Sequence, residues 1–103
     1  MKPCLIILTC GDDSEAKKIG QYLLEKRLIA CAKRMPVSSA YWWKGDILDS
    51  NETLLIMETL NKKFSEIEKA VKKIHSYETP VLLQIAASEM SSGALGWIKE
   101  NTN

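Results

Sequence analysis

The sequence predicts an α+β domain ordered strand-helix-strand-strand-helix-strand, with a long hairpin between the second and third strands and a short C-terminal helix. Three observations predict it. Cys4-Leu5-Ile6-Ile7-Leu8 is a continuous apolar run with β-branched residues, the pattern of a strand buried on both faces. Residues 16–24 and 64–74 repeat apolar side chains at helical spacing. Between those helices, Tyr41-Trp42-Trp43-Lys44-Gly45-Asp46 sets two of the three tryptophans beside a glycine turn, which is how a hairpin is pinned.

After the first strand, Asp12-Asp13-Ser14 supplies side-chain oxygens for a helix N-cap and negative charge for the positive end of the helix. Ala16, Ile19, Gly20, Leu23 and Leu24 then form one buried stripe. Residues 29–35 return as a strand with Ile29, Cys31 and Met35 on one face, and small Ala30 and Ala32 on the other, where a helix packs closely. Pro36 lacks an N–H and belongs at a kink or an edge. The strand resumes through Trp43, turns at Lys44-Gly45-Asp46 and returns as Ile47-Leu48. Asp49-Ser50-Asn51 interrupts the alternation as a bulge before residues 53–57 continue it. Asn61 caps a second helix whose inner face holds Phe64, Ile67, Val71 and Ile74, and His75-Ser76 ends it. Thr79, placed before Pro80, is pushed toward extended geometry, so residues 81–86 form the fourth strand. Residues 92–100 make the last helix, with Leu95, Trp97 and Ile98. This order is the split βαβ, or ferredoxin-like, arrangement, which hosts many unrelated functions.

Residues 1–103 are expected to form a single domain, large enough for one core with little to spare. The longest apolar run falls far short of the ~20 residues of a membrane span. Lys2-Pro3-Cys4 leads straight into it without the order of segments that a signal peptide needs. Fourteen Lys and Arg against thirteen Asp and Glu leave a net charge of +1, which argues against an electrostatically driven nucleic-acid binder. Three cysteines without a Cys-x-x-Cys pair fit reduced thiols in a cytosolic protein. Cys4 and Cys10 would lie about 20 Å apart along one strand, too far to share a zinc ion.

The candidate chemistry gathers in His75-Ser76-Tyr77-Glu78-Thr79-Pro80 and in the hairpin. His75, the only histidine, either closes its helix by donating to a last-turn carbonyl or contacts a ligand or metal. His75 and Glu78 could act as acid and base only if they converge on a substrate atom, which local spacing does not show. Of the paired tryptophans, alternation sends one ring inward and the next outward, where another subunit or a ligand would cover it. The aromatic signature of the RNA-recognition fold is absent, since Lys44-Gly45 is followed by Asp46. No phosphate-binding glycine loop, nucleophile elbow or His-Glu-x-x-His helix occurs.

Taken in order, Leu28-Ile29-Ala30-Cys31, the hairpin Tyr41 to Ile47, His75-Ser76-Tyr77-Glu78-Thr79-Pro80 and Trp97 resemble the motifs of the CutA family, small proteins named for divalent-cation tolerance. The resemblance runs over nearly the whole chain. It implies a homotrimer with hairpins wrapped around neighbours, and an inter-subunit pocket lined here by Cys31, Trp43, Lys44, Tyr77 and Glu78, with His75 as metal contact. It implies copper or another divalent cation, or a small ligand, and a non-enzymatic role in metal-ion tolerance; a PII-like signalling trimer without metal is the alternative. Several positions depart from the family pattern. Ser76 replaces a proline, Ala94 an aromatic, and Glu58 a lysine. Glu58 either faces the pocket or ends an edge strand and pairs with Lys62. Leu8 and Ile74 occupy positions where some bacterial members carry a copper-ligating cysteine and histidine, so that copper site, as such, is not expected.

Overall fold

The computed structural model of the chain describes residues 2–102. Its elements run β1 (Pro3–Cys10), α1 (Asp13–Glu25), β2 (Cys31–Trp43), β3 (Asp46–Leu60), a 3-10 turn (Asn61–Lys63), α2 (Phe64–Ile74), β4 (Leu82–Ala86) and α3 (Ser92–Asn101). The strands form one sheet in the order β2-β3-β1-β4, every neighbouring pair antiparallel. This is the expected ferredoxin-like arrangement.

Local chemistry fixes the ends of α1. The Asp12 carboxylate accepts from the Glu15 N–H at 2.8 Å, and Glu15 reaches back to the Gly11 N–H at 2.9 Å, a capping box displaced by one residue. At the other end, the Leu28 N–H donates to the Leu23 carbonyl and the Arg27 N–H to that of Leu24, both at 3.0 Å. That is a Schellman closure, and Arg27 takes the left-handed backbone (φ 59°) usually left to glycine. The helix lies close on the sheet at Gly20, where an added Cβ would come within 3.1 Å of the Ala32 methyl. Expected close packing at Ala32 is thus observed.

Four expectations need correction. The second strand begins at Cys31, with Leu28 and Ile29 buried ahead of it. No bulge interrupts the third: the β2–β3 register runs unbroken from Cys31↔Glu58 through Ser39↔Ser50 to Trp43↔Asp46. The polar Asp49-Ser50-Asn51 stretch is tolerated in register because that part of the hairpin is mostly exposed. Asn61 does not cap α2; its side-chain Oδ1 accepts from the Lys2 N–H at 3.0 Å, and a 3-10 turn starts the helix instead. Finally, β1 is not buried on both faces. Cys4, Ile6, Leu8 and Cys10 are sealed while Leu5, Ile7 and Thr9 between them are only half-buried. Pro36 does lie on an edge strand, as its missing N–H requires.

The core sits between the sheet and the first two helices, with Ile6, Leu8, Leu55 and Met57 packed against Ile19, Leu23, Ile67 and Val71. The pairing register places Leu5, Ile7, Leu54, Ile56, Leu83 and Ile85 on the opposite face. Besides α1 and α2, α3 touches β3, yet on that second face Leu83 and Ile85 stay exposed and Leu5, Ile7, Leu54 and Ile56 only half-buried.

Candidate functional site

The hairpin is closed by two residues, Lys44 and Gly45, both at positive φ (50° and 89°), with Trp43 paired to Asp46. This is the type I′ geometry that matches the twist of the strands. Trp42 and Ile47 are directly opposite each other and are 71% and 62% exposed. The other face carries Tyr41, Trp43 and Leu48. Lys44 folds back so that its ammonium lies 5.5 Å from the Trp43 ring centroid, within cation–π range.

Between this second face and the segment joining α2 to β4 lies a cavity of about 640 Å³, lined in part by Tyr41, Trp42, Trp43, Glu52, Tyr77 and Glu78. Glu52 is 6% exposed and accepts a 2.5 Å hydrogen bond from the Tyr77 hydroxyl. Burial, reinforced by that bond to Glu52, pushes the Tyr77 hydroxyl well above the usual phenol range. Tyr41 and Ser50 hydroxyls meet at 2.8 Å on the exposed side of the hairpin.

Behind Tyr77, His75 is locked into the fold. Its Nδ1 accepts from the Tyr77 N–H at 3.0 Å, so Nε2 carries the proton and donates to the Thr9 carbonyl at 2.9 Å. The partner is therefore a carbonyl of β1, not of the last helical turn. Its side chain has no exposure, and Glu15 Oε2 lies 3.9 Å from Nδ1. Burial pushes the Glu15 carboxyl up, but hydrogen bonds from Gly11 and Ser76 outweigh it and hold its pKa below the usual range. The Ser76 N–H donates to Glu15 at 2.7 Å, a bond that the proline of the family pattern could not make.

Cys10, buried beside this pair, completes a set in which thiol, carboxylate and imidazole donor atoms all lie within 4.8 Å of one another. Desolvation, with Glu15 next, pushes the thiol up to about 12. Sulfur, nitrogen and oxygen together suit a copper- or zinc-type ion. Sequence reasoning missed Cys10 and Glu15 as companions of His75. The signal was present: Cys10 lies two residues beyond Leu8, on the same face of β1. Leu8 is sealed in the core and Ile74 packs against it, so neither offers a donor.

Cys31 and Glu58 form a separate cluster. They face each other across β2 and β3, and the Lys33 ammonium bridges them, 2.6 Å from Glu58 Oε2 and 3.2 Å from Cys31 Sγ. The bond to Glu58 raises the Lys33 pKa. Glu58 thus pairs with Lys33, not Lys62, and stands on an interior strand, not an edge. Cys31 and Trp43 are the two ends of the thirteen-residue β2, about 40 Å apart at the rise of an antiparallel strand. Within one chain, then, the expected pocket residues divide. Trp43, Tyr77 and Glu78 line one cavity, His75 is sealed behind it, Lys44 caps the turn, and Cys31 with Glu58 lies at the far end of the sheet.

The family model described as CutA1 divalent ion tolerance protein matches residues 4–101. The divalent-cation tolerance protein CutA of Thermotoga maritima is 35% identical over 97 residues, covering 94% of this chain and 96% of that protein. The structure of the periplasmic divalent cation tolerance protein CutA from Archaeoglobus fulgidus superposes with a TM-score of 0.96 at 36% identity, covering 98% and 99% of the two chains. That of the divalent cation tolerance protein from Thermus thermophilus gives 0.94 at 29% identity, with 98% and 99% covered.

Proposed function

The chain belongs to the CutA1 divalent ion tolerance family, and on that premise we propose that it works as a homotrimer binding a divalent cation or small ligand between subunits. The observation that carries this reading is the division of the pocket residues. Trp43 and Lys44 stand about 40 Å from Cys31 and Glu58 along β2, so one pocket can hold both groups only if two chains contribute. The uncovered apolar face and exposed hairpin supply the surface for such an assembly. In it, the hairpin tip of one chain reaches the Cys31–Lys33–Glu58 end of its neighbour.

The role is binding in metal-ion tolerance, not catalysis. His75, the one imidazole, has no exposure and both ring nitrogens engaged, so it is badly placed to meet a substrate as acid or base. A cytosolic setting agrees with three free thiols. No described helix is long and apolar enough to cross a membrane.

The Cys10–Glu15–His75 donor set favours a second place for the metal. These residues would hold a copper-type ion once Cys10 has lost its proton and His75 Nδ1 its bond from Tyr77. Metal uptake there would weaken as pH falls, because the Cys10 thiol must shed its proton to ligate.

Cross-linking tests the inter-subunit pocket. A short bismaleimide added to Lys44→Cys should join that residue to Cys31 of a neighbour and give covalent oligomers on a reducing gel. Lys44→Cys/Cys31→Ser should remain monomeric on the gel. Only monomer in both would contradict the arrangement.

A further inference from the structure

We propose that the hairpin cavity is a binding site for a compact organic cation, an alkylammonium ion held between the Glu52 carboxylate and the aromatic walls. The inference deepens the inter-subunit reading and rests on it, since the neighbouring chain closes the cavity's open side.

The lining carries the argument. Among the described residues, the charged groups on it are Glu52 and Glu78, both acidic; no lysine, arginine or histidine lines it. Tyr41, Trp42, Trp43 and Tyr77 give it aromatic walls, beside the hydroxyls of Thr9, Ser39 and Thr79. Among the lining residues an anion finds no counter-charge. A divalent metal ion would have to shed tightly held water for two carboxylates, one of them already bonded to Tyr77, in a lining that is otherwise mainly aromatic and apolar. An organic ammonium ion is less demanding, because aromatic faces attract it and its carbon body gains from apolar walls. The chain already shows this preference at the cavity's edge, where Lys44 lays its ammonium over Trp43.

Glu52 supplies the specific contact. It is 94% buried by its 6% exposure, yet among the described residues only Tyr77 bonds to its carboxylate, through Oε2. No buried side-chain oxygen is left without a partner, so Oε1 is open to the cavity. That free oxygen is accessible to water, and an N–H donor that replaces the water gains a charge-assisted bond on an otherwise buried carboxylate. Tyr77, held by its own N–H to His75, fixes the occupied oxygen and so the direction of the free one.

Calorimetry at neutral pH with benzylammonium and with benzyl alcohol, its neutral counterpart of similar shape, tests this on protein whose mass is measured in the same buffer. Benzylammonium should bind once per chain and at least about tenfold more tightly than the alcohol. Glu52→Gln should weaken the amine about tenfold and leave the alcohol unchanged. Should that variant fold poorly, Trp43→Leu, at an accessible ring, should again weaken the amine more than the alcohol. Equal affinity for amine and alcohol, or no binding at about 10 mM amine, overturns the inference. A trimer that ignores benzylammonium rejects this site alone, whereas a monomer that binds it rejects the assembly alone.

Discussion

On the helix side of the sheet, Ile6, Leu8, Leu55 and Met57 are fully buried beneath α1 and α2, while on the other side Leu5, Ile7, Leu54 and Ile56 lie half-open and Leu83 and Ile85 exposed. Both faces are written in the same aliphatic alphabet. The strands that make them are the same strands, alternating residue by residue. One face is sealed inside the chain, and the other is left partly open. Along β3 the change is also lengthwise, since residues 52–60 alternate between buried and half-buried while residues 46–51 are almost wholly exposed. The difference teaches that the helix-covered half carries the fold, while the open face and hairpin are the surface on which the proposed assembly rests. An apolar surface of this extent is unusual on a chain that works alone.

The comparison can be broken by single changes, and the largest effect is expected on the covered face. Leu55→Ala should cost about 2–5 kcal/mol of stability in urea unfolding at any protein concentration, because it opens a cavity in the sealed core. Ile85→Lys on the open face should leave the circular dichroism of the dilute chain intact yet reduce the assembled mass. If Ile85→Lys unfolds the chain as Leu55→Ala does, the two faces do not differ in the way described.

A smaller effect belongs to the knot where α1 meets the α2–β4 connection. Glu15 accepts the Gly11 and Ser76 N–H groups, and its folded pKa lies below its ordinary value of 4.5. Its stabilising contribution is complete above the unfolded pKa and is lost as pH falls through the folded one. Glu15→Gln should therefore be less stable than wild type near neutrality by about 1–3 kcal/mol. The gap should close as pH drops below 4.5. A gap that stays constant with pH would mean the charge on Glu15 contributes nothing.

Much of this contrast was legible in the sequence, and the reasons for the misses are physical. Helical spacing located α1 and α2, and the glycine turn located the hairpin, because both are local patterns. The run Cys4 to Leu8 suggested burial on both faces, since an apolar side chain has the same identity whether its partner is internal or external. The bulge expected at Asp49-Ser50-Asn51 is absent because exposed polar residues keep register as readily as they break it. Of the candidate site, Trp43, Tyr77 and Glu78 do meet. Glu52 escaped notice as an ordinary charge in a polar stretch; only the fold reveals that it is buried against Tyr77. Cys10 and Glu15 lie far in sequence from His75, and only the packing of β1 and α1 against the end of α2 joins them.

The smallest effect is expected at a solvent-screened ion pair at one end of the open face. Glu58→Lys removes the bond to Lys33, a pair whose side chains are 24% and 58% exposed, so the loss in stability should be ~1 kcal/mol or less. Metal and phosphate affinities compared between wild type and Glu58→Lys show whether that charge faces a pocket. An unchanged pair of affinities assigns it to the surface.

The central claim, that the open face and the hairpin are covered by copies of this chain, is tested most directly by light scattering coupled to size exclusion at micromolar concentration. The predicted mass is about three times the 11.6 kDa of one chain. A single peak at the chain mass, with the open face and Trp42 left in water, would contradict it.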